Sequence, residues 1–389
     1  MGTQLLQRIS LIDNRILGNH GISYLELEGS IFVYSISGHL ILFSCFNQEH
    51  NSSPGRKSAM EYGELMKMAE ANLRAKGILE NYKILENYQR EGTETSFVGR
   101  FNVRYFERFG FRFRMIDSHE ASTETVLFDR KFQTPILSAA LSSMTDIAEK
   151  PLREVAVGVG KSGSMMWVGI ASADQVKDVL ETGVPTVRIV KPFQDVEMMI
   201  KELEEAEKGG AIAVGTDIDF FYGGKRGDRT FAPKAMAPKS LTALKELASV
   251  TRLPFILKGV LSTQDAEKAL EIGAGGIVVS NHGGAIIDYA AHPLEVLPEI
   301  KEVIGNQIPI FADSGFRRGS DVMKALALGA DAVLIGWPLV YGLAANGSQG
   351  VAEMITILTA ELQRIMSVTG CKNLSEIGDE ILVKRDFFI

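Results

Sequence analysis

The chain has 389 residues, 46% hydrophobic and 23% charged, an ordinary globular composition that excludes a disordered, collagen-like or coiled-coil chain. Against 48 Asp and Glu stand 41 Lys and Arg, and the formal charge of −7 argues against a general nucleic-acid binder with a basic surface. Two cysteines, Cys45 and Cys371, form neither a disulfide framework nor a Cys-rich zinc site, so a reducing, cytoplasmic setting is expected.

The opening MGTQLLQRIS lacks the charged start, apolar core and small-residue cleavage pattern of a signal peptide. The apolar run IFVYSISGHLILFSCF (31–46) is interrupted by Ser37, Gly38 and His39 and is short for a membrane span. Two β-rich runs about a Gly turn predict a hairpin instead, and no span is expected. A polar Ser/Pro/Gly linker, NQEHNSSPGRK (47–57), follows. Residues 1–57 are read as an appendage, either a small β element or an extension upstream of a truer start at Met60. Residues 58–389 are read as the main domain, led in by a helix over 61–76 with Gly77 as its stop.

Beyond residue 129 short apolar runs alternate with helical patterns. The runs are PILSA (135–139), MWVGI (166–170), PTVRIV (185–190), AIAVGT (211–216), PFILK (254–258), GGIVVS (275–280), PIFAD (309–313) and AVLIG (332–336). Amphipathic helices are predicted between them, for example over 195–208 and 263–272. Apolar, β-branched runs without alternation suit strands buried on both faces. Eight βα units in about 250 residues predict an α/β fold of the TIM (β/α)8 barrel type. A doubly wound sheet is the second choice, but no Gly-x-Gly-x-x-Gly follows the first strand.

Such barrels carry their chemistry at the C-terminal ends of the strands. The fourth strand runs out at Asp217, the fifth at Lys258, the sixth into Ser280-Asn281-His282-Gly283-Gly284, the seventh at Asp313 and the eighth at Gly336. After the seventh, Gly315 permits close backbone approach, and Arg317 and Arg318 stand at a helix start, where cations suit a bound phosphate better than the bare helix. Lys258 either meets an anionic partner or snorkels to solvent at the barrel mouth. His282 is a candidate proton acceptor that Asp217 could orient. Asp217, Asp219 and His282 could also hold a cation, a weaker idea, and no metal is expected.

Two segments, LKGVLSTQDAEKALEIGAGGIVVSNHGG (257–284) and FADSGFRRGSDVMKALALGADAVLIGWP (311–338), resemble the FMN-dependent α-hydroxy-acid dehydrogenase/oxidase family, which includes glycolate oxidase and lactate oxidase. The likeness runs from about Tyr62 to the C-terminus and takes in SVTGCKNLSEI (367–377). It implies FMN as cofactor, His282 as the active-site base and Asp217 as its carboxylate partner. It implies Lys258 as the lysine beside the flavin, and Tyr88 in YQREG and Arg226 in GGKRGD as groups facing the substrate. Ala139 and Ala140 fall where the flavin ring rests, and Ser280 and Gly284 where the sixth-strand loop meets it. Asp313, Gly315, Arg317 and Gly336 resemble the ribose and phosphate contacts.

The chain also departs from the family. Ala285 stands where an arginine clamps the substrate carboxylate, a loss worth about 2–5 kcal/mol of binding. Val190 stands for an active-site tyrosine, Arg188 for a flavin-contacting glutamine, Trp337 for a second phosphate arginine and Asp219 for a proline. The proton-transfer pair and the flavin lysine remain while the carboxylate clamp is thinned, and Arg226 or Arg188 is a candidate replacement. The resemblance thus implies a flavin oxidoreductase acting on a 2-hydroxy acid or related CH–OH substrate, and the thinned clamp implies that this is not a small 2-hydroxy acid held in the usual way. The alternatives are a non-redox FMN- or phosphate-ligand barrel, an isomerase or binding protein, and a degenerate homologue without flavin. The electron acceptor is left open, and a homo-oligomer, a tetramer, is carried over from the resemblance alone.

Overall fold

The structure is a computed structural model that describes residues 23–27, 31–36, 39–44, 60–79, 93–142, 144–222, 224–226, 229–231 and 235–386. The chain forms two compact units, Met1–Ala59 and Met60–Ile389. In the first, β1 (Ser23–Leu27), β2 (Ile31–Ile36) and β3 (His39–Ser44) make an antiparallel meander in that order. The expected hairpin is β2 with β3, where Ile36 faces His39 across the turn. The strand β1 was not expected from the sequence, and Cys45 lies outside the described residues.

The second unit opens on α1 (Tyr62–Ala75), the predicted lead-in helix. Its buried residues Leu65, Ala69 and Leu73 recur every four positions, one face of a helix, and Gly77 ends it at φ 70°. Next come α2 (Phe97–Arg104), β4 (Phe109–Phe111) and a hairpin of β5 (Thr125–Leu127) and β6 (Arg130–Phe132).

The barrel strands are β7 (Ile136–Ser138), β8 (Ala140–Leu141), β9 (Met166–Val168), β10 (Thr186–Val190) and β11 (Ala213–Asp217). After a side hairpin, β12 (Gly224–Arg226) with β13 (Arg229–Phe231), come β14 (Phe255–Val260), β15 (Gly276–Val279), β16 (Ile310–Ala312) and β17 (Ala332–Ile335). Each predicted run holds one strand, to within a few residues at its ends. The sheet order is β7-β17-β16-β15-β14-β11-β10-β9-β8, parallel throughout. Its two ends are halves of one segment broken at Ala139, so the ring closes as a (β/α)8 barrel.

Between the strands lie α3 (Pro151–Lys161), α4 (Ala173–Leu180), α5 (Val196–Lys208), α6 (Leu241–Ser249), α7 (Thr263–Ile272), α8 (Pro293–Ile304) and α9 (Gly319–Ala327). The last helix, α10 (Trp337–Val368), is kinked at Asn346 and Gly347, and β18 (Leu382–Lys384) pairs with β4. No helix among the described residues is long and apolar enough to cross a membrane.

Two apolar layers hold the barrel. Inside it, Leu137, Trp167, Val187, Ile189, Ile256, Val278 and Phe311 pack with Leu127 and Phe132 of the β5–β6 hairpin. Outside, the other face of each strand packs against the helices. Burial of both faces is why the strands read as unbroken apolar runs.

Candidate active site

The strand period decides what reaches the mouth. On β10, Val187 and Ile189 belong to the interior cluster, while Val190 belongs to the helix-facing one. Arg188 therefore points outward too, where its Nη2 donates to Glu202 Oε2 at 2.6 Å on α5. This corrects the expectation that Arg188 contacts flavin or takes the substrate carboxylate: a one-residue step on a strand reverses the face. Lys191 continues the phase of Val187 and Ile189 just past the strand end and is 6% exposed.

The mouth holds a buried charge network. Lys191 Nζ donates to Asp217 Oδ2 at 2.5 Å. Lys258 Nζ lies 3.6 Å from Asp217 Oδ1, 3.1 Å from Asp313 Oδ2 and 3.1 Å from Ser280 Oγ. Register places Asp217 directly opposite Lys258 on the neighbouring strand. Burial alone would raise the Asp217 carboxyl, but Lys191, then Lys258 and His282, hold it well below the usual carboxylate range. Burial would likewise lower Lys258, but Asp313, Asp217 and Asp219 overcome it and hold the ammonium above its usual range.

His282 Nδ1 lies 3.1 Å from both carboxylate oxygens of Asp219 and 3.8 Å from Asp217 Oδ1. This refines the expected pairing: Asp219 is the hydrogen-bonded partner of His282, while Asp217 Oδ1, buried and without a hydrogen bond, stands 3.8 Å away. Asp219 has room because Gly259, at φ 100°, breaks the register of β14; a Cβ there would lie 2.5 Å from the Asp219 carboxyl carbon. Phe220 closes the far side, its ring centroid 4.9 Å from that of His282 and 4.0 Å from Lys191 Nζ. The candidate ligand atoms of Asp217, Asp219 and His282 lie within 4.8 Å of one another. A divalent ion there would meet the ammonium groups already on Asp217.

The loop after β15 is tied down behind His282. Ser280 Oγ accepts from His282 N at 3.0 Å as well as from Lys258. Asn281 and Asn102 of α2 exchange amide hydrogen bonds of 2.6 and 2.9 Å. His282, Gly283 and Gly284 are all left-handed, with φ of 54°, 64° and 83°. A Cβ on Gly284 would strike Val98 Cγ1 at 2.0 Å, so α2 packs directly on this turn. Gly315 meets α2 as well, its Cβ position 2.6 Å from Asn102 O. Packing against α2 thus accounts for Gly284 and Gly315, two of the three glycines that the resemblance placed at the cofactor.

The remaining expected residues divide. Ala139 and Ala140 stand at the break in the first strand, and a Cβ on Gly336 would lie 3.5 Å from Ala139 Cβ, so both strand ends present only small groups. Trp337 opens α10 and packs half-buried on the outer core. Arg317 lines a cavity of about 860 Å³ with Tyr62, Phe106, Arg318 and Lys324, and that cavity does not include His282 or Lys258. Arg318 is committed elsewhere: its Nε donates to Glu361 Oε2 at 3.1 Å and its guanidinium lies over Tyr62. The backbone N–H groups of Arg317 and Arg318 donate to Asp321 Oδ2, both at 3.0 Å. Tyr88 lies outside the described residues, as does the side chain of Arg226.

These features fit a flavin. A floor of small residues suits a flat ring, and a permanently charged Lys258 beside Ser280 suits a ring edge that gains negative charge. A family model described as FMN-dependent dehydrogenase matches residues 81–242 and 228–384. The chain belongs to the FMN-dependent dehydrogenase family. It is 30% identical over 384 residues to a 2-hydroxyacid oxidase of Dictyostelium discoideum, covering 88% of this chain and 98% of that one. It is 31% identical over 324 residues to an L-lactate oxidase of Lactobacillus jensenii, covering 75% and 79%. Among solved structures, one from Pediococcus acidilactici described as a lactate oxidase superposes with a TM-score of 0.76 at 27% identity, covering 86% and 97%. A mandelate oxidase gives 0.74 at 26%, covering 84% and 98%. The protein is thus an FMN-dependent oxidoreductase acting on CH–OH donors, and the non-redox alternative is not favoured.

Lys191, and the hydrogen bond of Asp219 to His282, escaped the sequence reading. Lys191 is signalled by extending the period of β10 one step beyond its last apolar residue. Asp219 was noticed as a departure, but its contact with His282 depends on the Gly259 bulge, which no local pattern announces.

Proposed function

We propose that the barrel mouth oxidises the α-carbon of a 2-hydroxy acid to the 2-oxo acid, with His282 as the proton acceptor. The observation that carries this reading is the division of labour on the imidazole. Nδ1 is committed to Asp219, which leaves Nε2, with its long 3.5 Å contact to Lys191 Nζ, as the nitrogen that can turn to substrate. Asp219 stabilises the imidazolium that forms when Nε2 takes the proton, and Asp217 adds a second negative charge at 3.8 Å. Oxidation removes two electrons and two protons from the substrate: His282 takes one proton, and FMN, when bound, would supply the acceptor for the electron pair and the other hydrogen. Ala139, Ala140 and Gly336 would hold the ring, with Lys258 at its charged edge. The relatives, a 2-hydroxyacid oxidase and an L-lactate oxidase, support this substrate class. A homo-oligomer follows from the resemblance and is checked by sedimentation.

The test is an absorption spectrum of the purified protein followed by anaerobic titration with a panel of 2-hydroxy acids. A flavin spectrum that bleaches with at least one acid is expected. A bound flavin that bleaches with none of them would sink the substrate class.

A further inference from the structure

The charge network contains one cation placed against the working nitrogen of His282. Lys191 Nζ lies 3.5 Å from His282 Nε2. An ammonium has three hydrogens to donate, and Asp217 Oδ2 takes one of those on Lys191. The other buried lysine is more fully engaged, since Lys258 meets Ser280, Asp217 and Asp313. Ala285, three residues past His282, brings no charge, and Arg188 faces the helices. Phe220 covers the Lys191 ammonium at 4.0 Å, and a charge shielded from water attracts a counter-ion more strongly.

The substrate chemistry matches this spacing. In a 2-hydroxy acid the hydroxyl and the carboxylate sit on adjacent carbons. A base on the hydroxyl and a cation on the carboxylate must therefore lie side by side. Resting on the reading of His282 given above, we propose that Lys191 receives the substrate carboxylate and so makes the site select acids over neutral alcohols and esters. The lysine then has two functions: it holds Asp217 Oδ2 in the resting site, and it presents the hydrogens that Asp217 does not take to the incoming anion beside His282.

The test uses the FMN-loaded enzyme and two readouts. The first is binding of oxalate, which has no hydrogen to lose, followed by the flavin spectrum or by calorimetry. The second is the preference, in kcat/KM, for lactate over methyl lactate. Lys191→Met is expected to weaken oxalate on the order of 30-fold or more. The preference for the acid is expected to fall by a similar factor through KM, with flavin content unchanged. The double variant Lys191→Met/Asp217→Asn removes both charges together, so the oxalate measurement survives if the single variant fails to fold. Unchanged oxalate affinity in a folded variant, or an unchanged preference for the acid, overturns the proposal. The two readings fail separately. A wild-type flavin that no 2-hydroxy acid bleaches defeats the reaction, whereas oxalate binding and its dependence on Lys191 judge the anchor without turnover.

Discussion

Two histidines bound the loop that follows β15, and they contrast in every physical respect. His282 is left-handed, keeps about a fifth of its side chain exposed and is surrounded by Asp219, Asp217 and Lys191. His292, ten residues on, is fully buried; its backbone N–H donates to Glu295 at 2.8 Å, while its ring nitrogens are hydrogen-bonded to backbone groups alone. Its Nδ1 accepts from Leu294 N at 3.0 Å, which obliges Nε2 to carry the hydrogen that Asn102 O accepts at 3.0 Å. Its ring stacks on Tyr105 at 4.4 Å, and burial pushes its pKa down to about 3. One residue type thus serves proton transfer at one end of the loop and neutral packing at the other. The surroundings assign the role: two carboxylates beside the His282 ring, and burial among aromatic rings, which resists a proton, at His292.

The largest expected effect separates the two by activity. His282→Asn should lower kcat/KM on the order of 10²- to 10⁴-fold, the usual worth of a positioned general base, with little change in Tm. Steady-state kinetics and thermal unfolding of one preparation measure both. A large loss of Tm would put His282 among the packing residues and erase the contrast.

The second prediction separates them by pH. The neutral form of His292 is held down to about pH 3, whereas in the unfolded chain the same group protonates below about 6.5. The unfolded state therefore binds the extra proton first. Stability from this group is intact above about pH 6.5 and is lost by roughly 1.4 kcal/mol per pH unit on acidification toward 3. Chemical denaturation across that range should show a slope steeper by this amount in the wild type than in His292→Phe, since carboxylates such as Asp288 contribute to both. An identical slope in both proteins would mean that His292 does not resist protonation.

The same contrast shows what the sequence reveals. The barrel was legible because strands buried on both faces leave unbroken apolar runs such as PTVRIV and AIAVGT. His282, Asp217 and Lys258 were legible because each stands where such a run ends. Arg188 was misplaced because a strand reverses its facing with each residue, and composition alone does not fix the phase. Lys191 and the hydrogen-bonding role of Asp219 were hidden for a different reason. Their contacts run between strand ends, through a bulge at Gly259 and a side chain just past β10, and neither leaves a local periodicity.

A smaller effect tests which carboxylate serves the imidazole. Asp219→Asn should lower kcat about 10- to 100-fold, the worth of one hydrogen bond to a charged partner. The chain should still fold and take up FMN, because Lys191 and Lys258 keep Asp217 as their counter-ion. Recovery of full activity in Asp219→Asn would return the partner role to Asp217 and make its 3.8 Å separation an effect of the resting site.

The smallest effect concerns the residue between the histidines. Asp288 Oδ2 accepts from Thr95 N at 2.6 Å and Thr95 Oγ1 at 2.7 Å, and its Oδ1 accepts from Val98 N at 3.0 Å. It therefore caps α2 from outside the helix. These donors outweigh its partial burial and hold its carboxyl down at about 2. The sign is opposite to that of His292 in cause but alike in direction: the cap is at full strength above about pH 4 and is lost as pH falls through about 2. Asp288→Ala should cost on the order of 1–2 kcal/mol by freeing these donors at a helix N-terminus. The helix also contacts both ends of the loop, through Val98 beside Gly284 and Asn102 beside Asn281 and His292. If the loop ends are independent, the loss appears in Tm alone and kcat/KM holds within a few-fold. If kcat/KM falls with Tm, α2 is the common support of both histidines, and the packing of one sets the aim of the other.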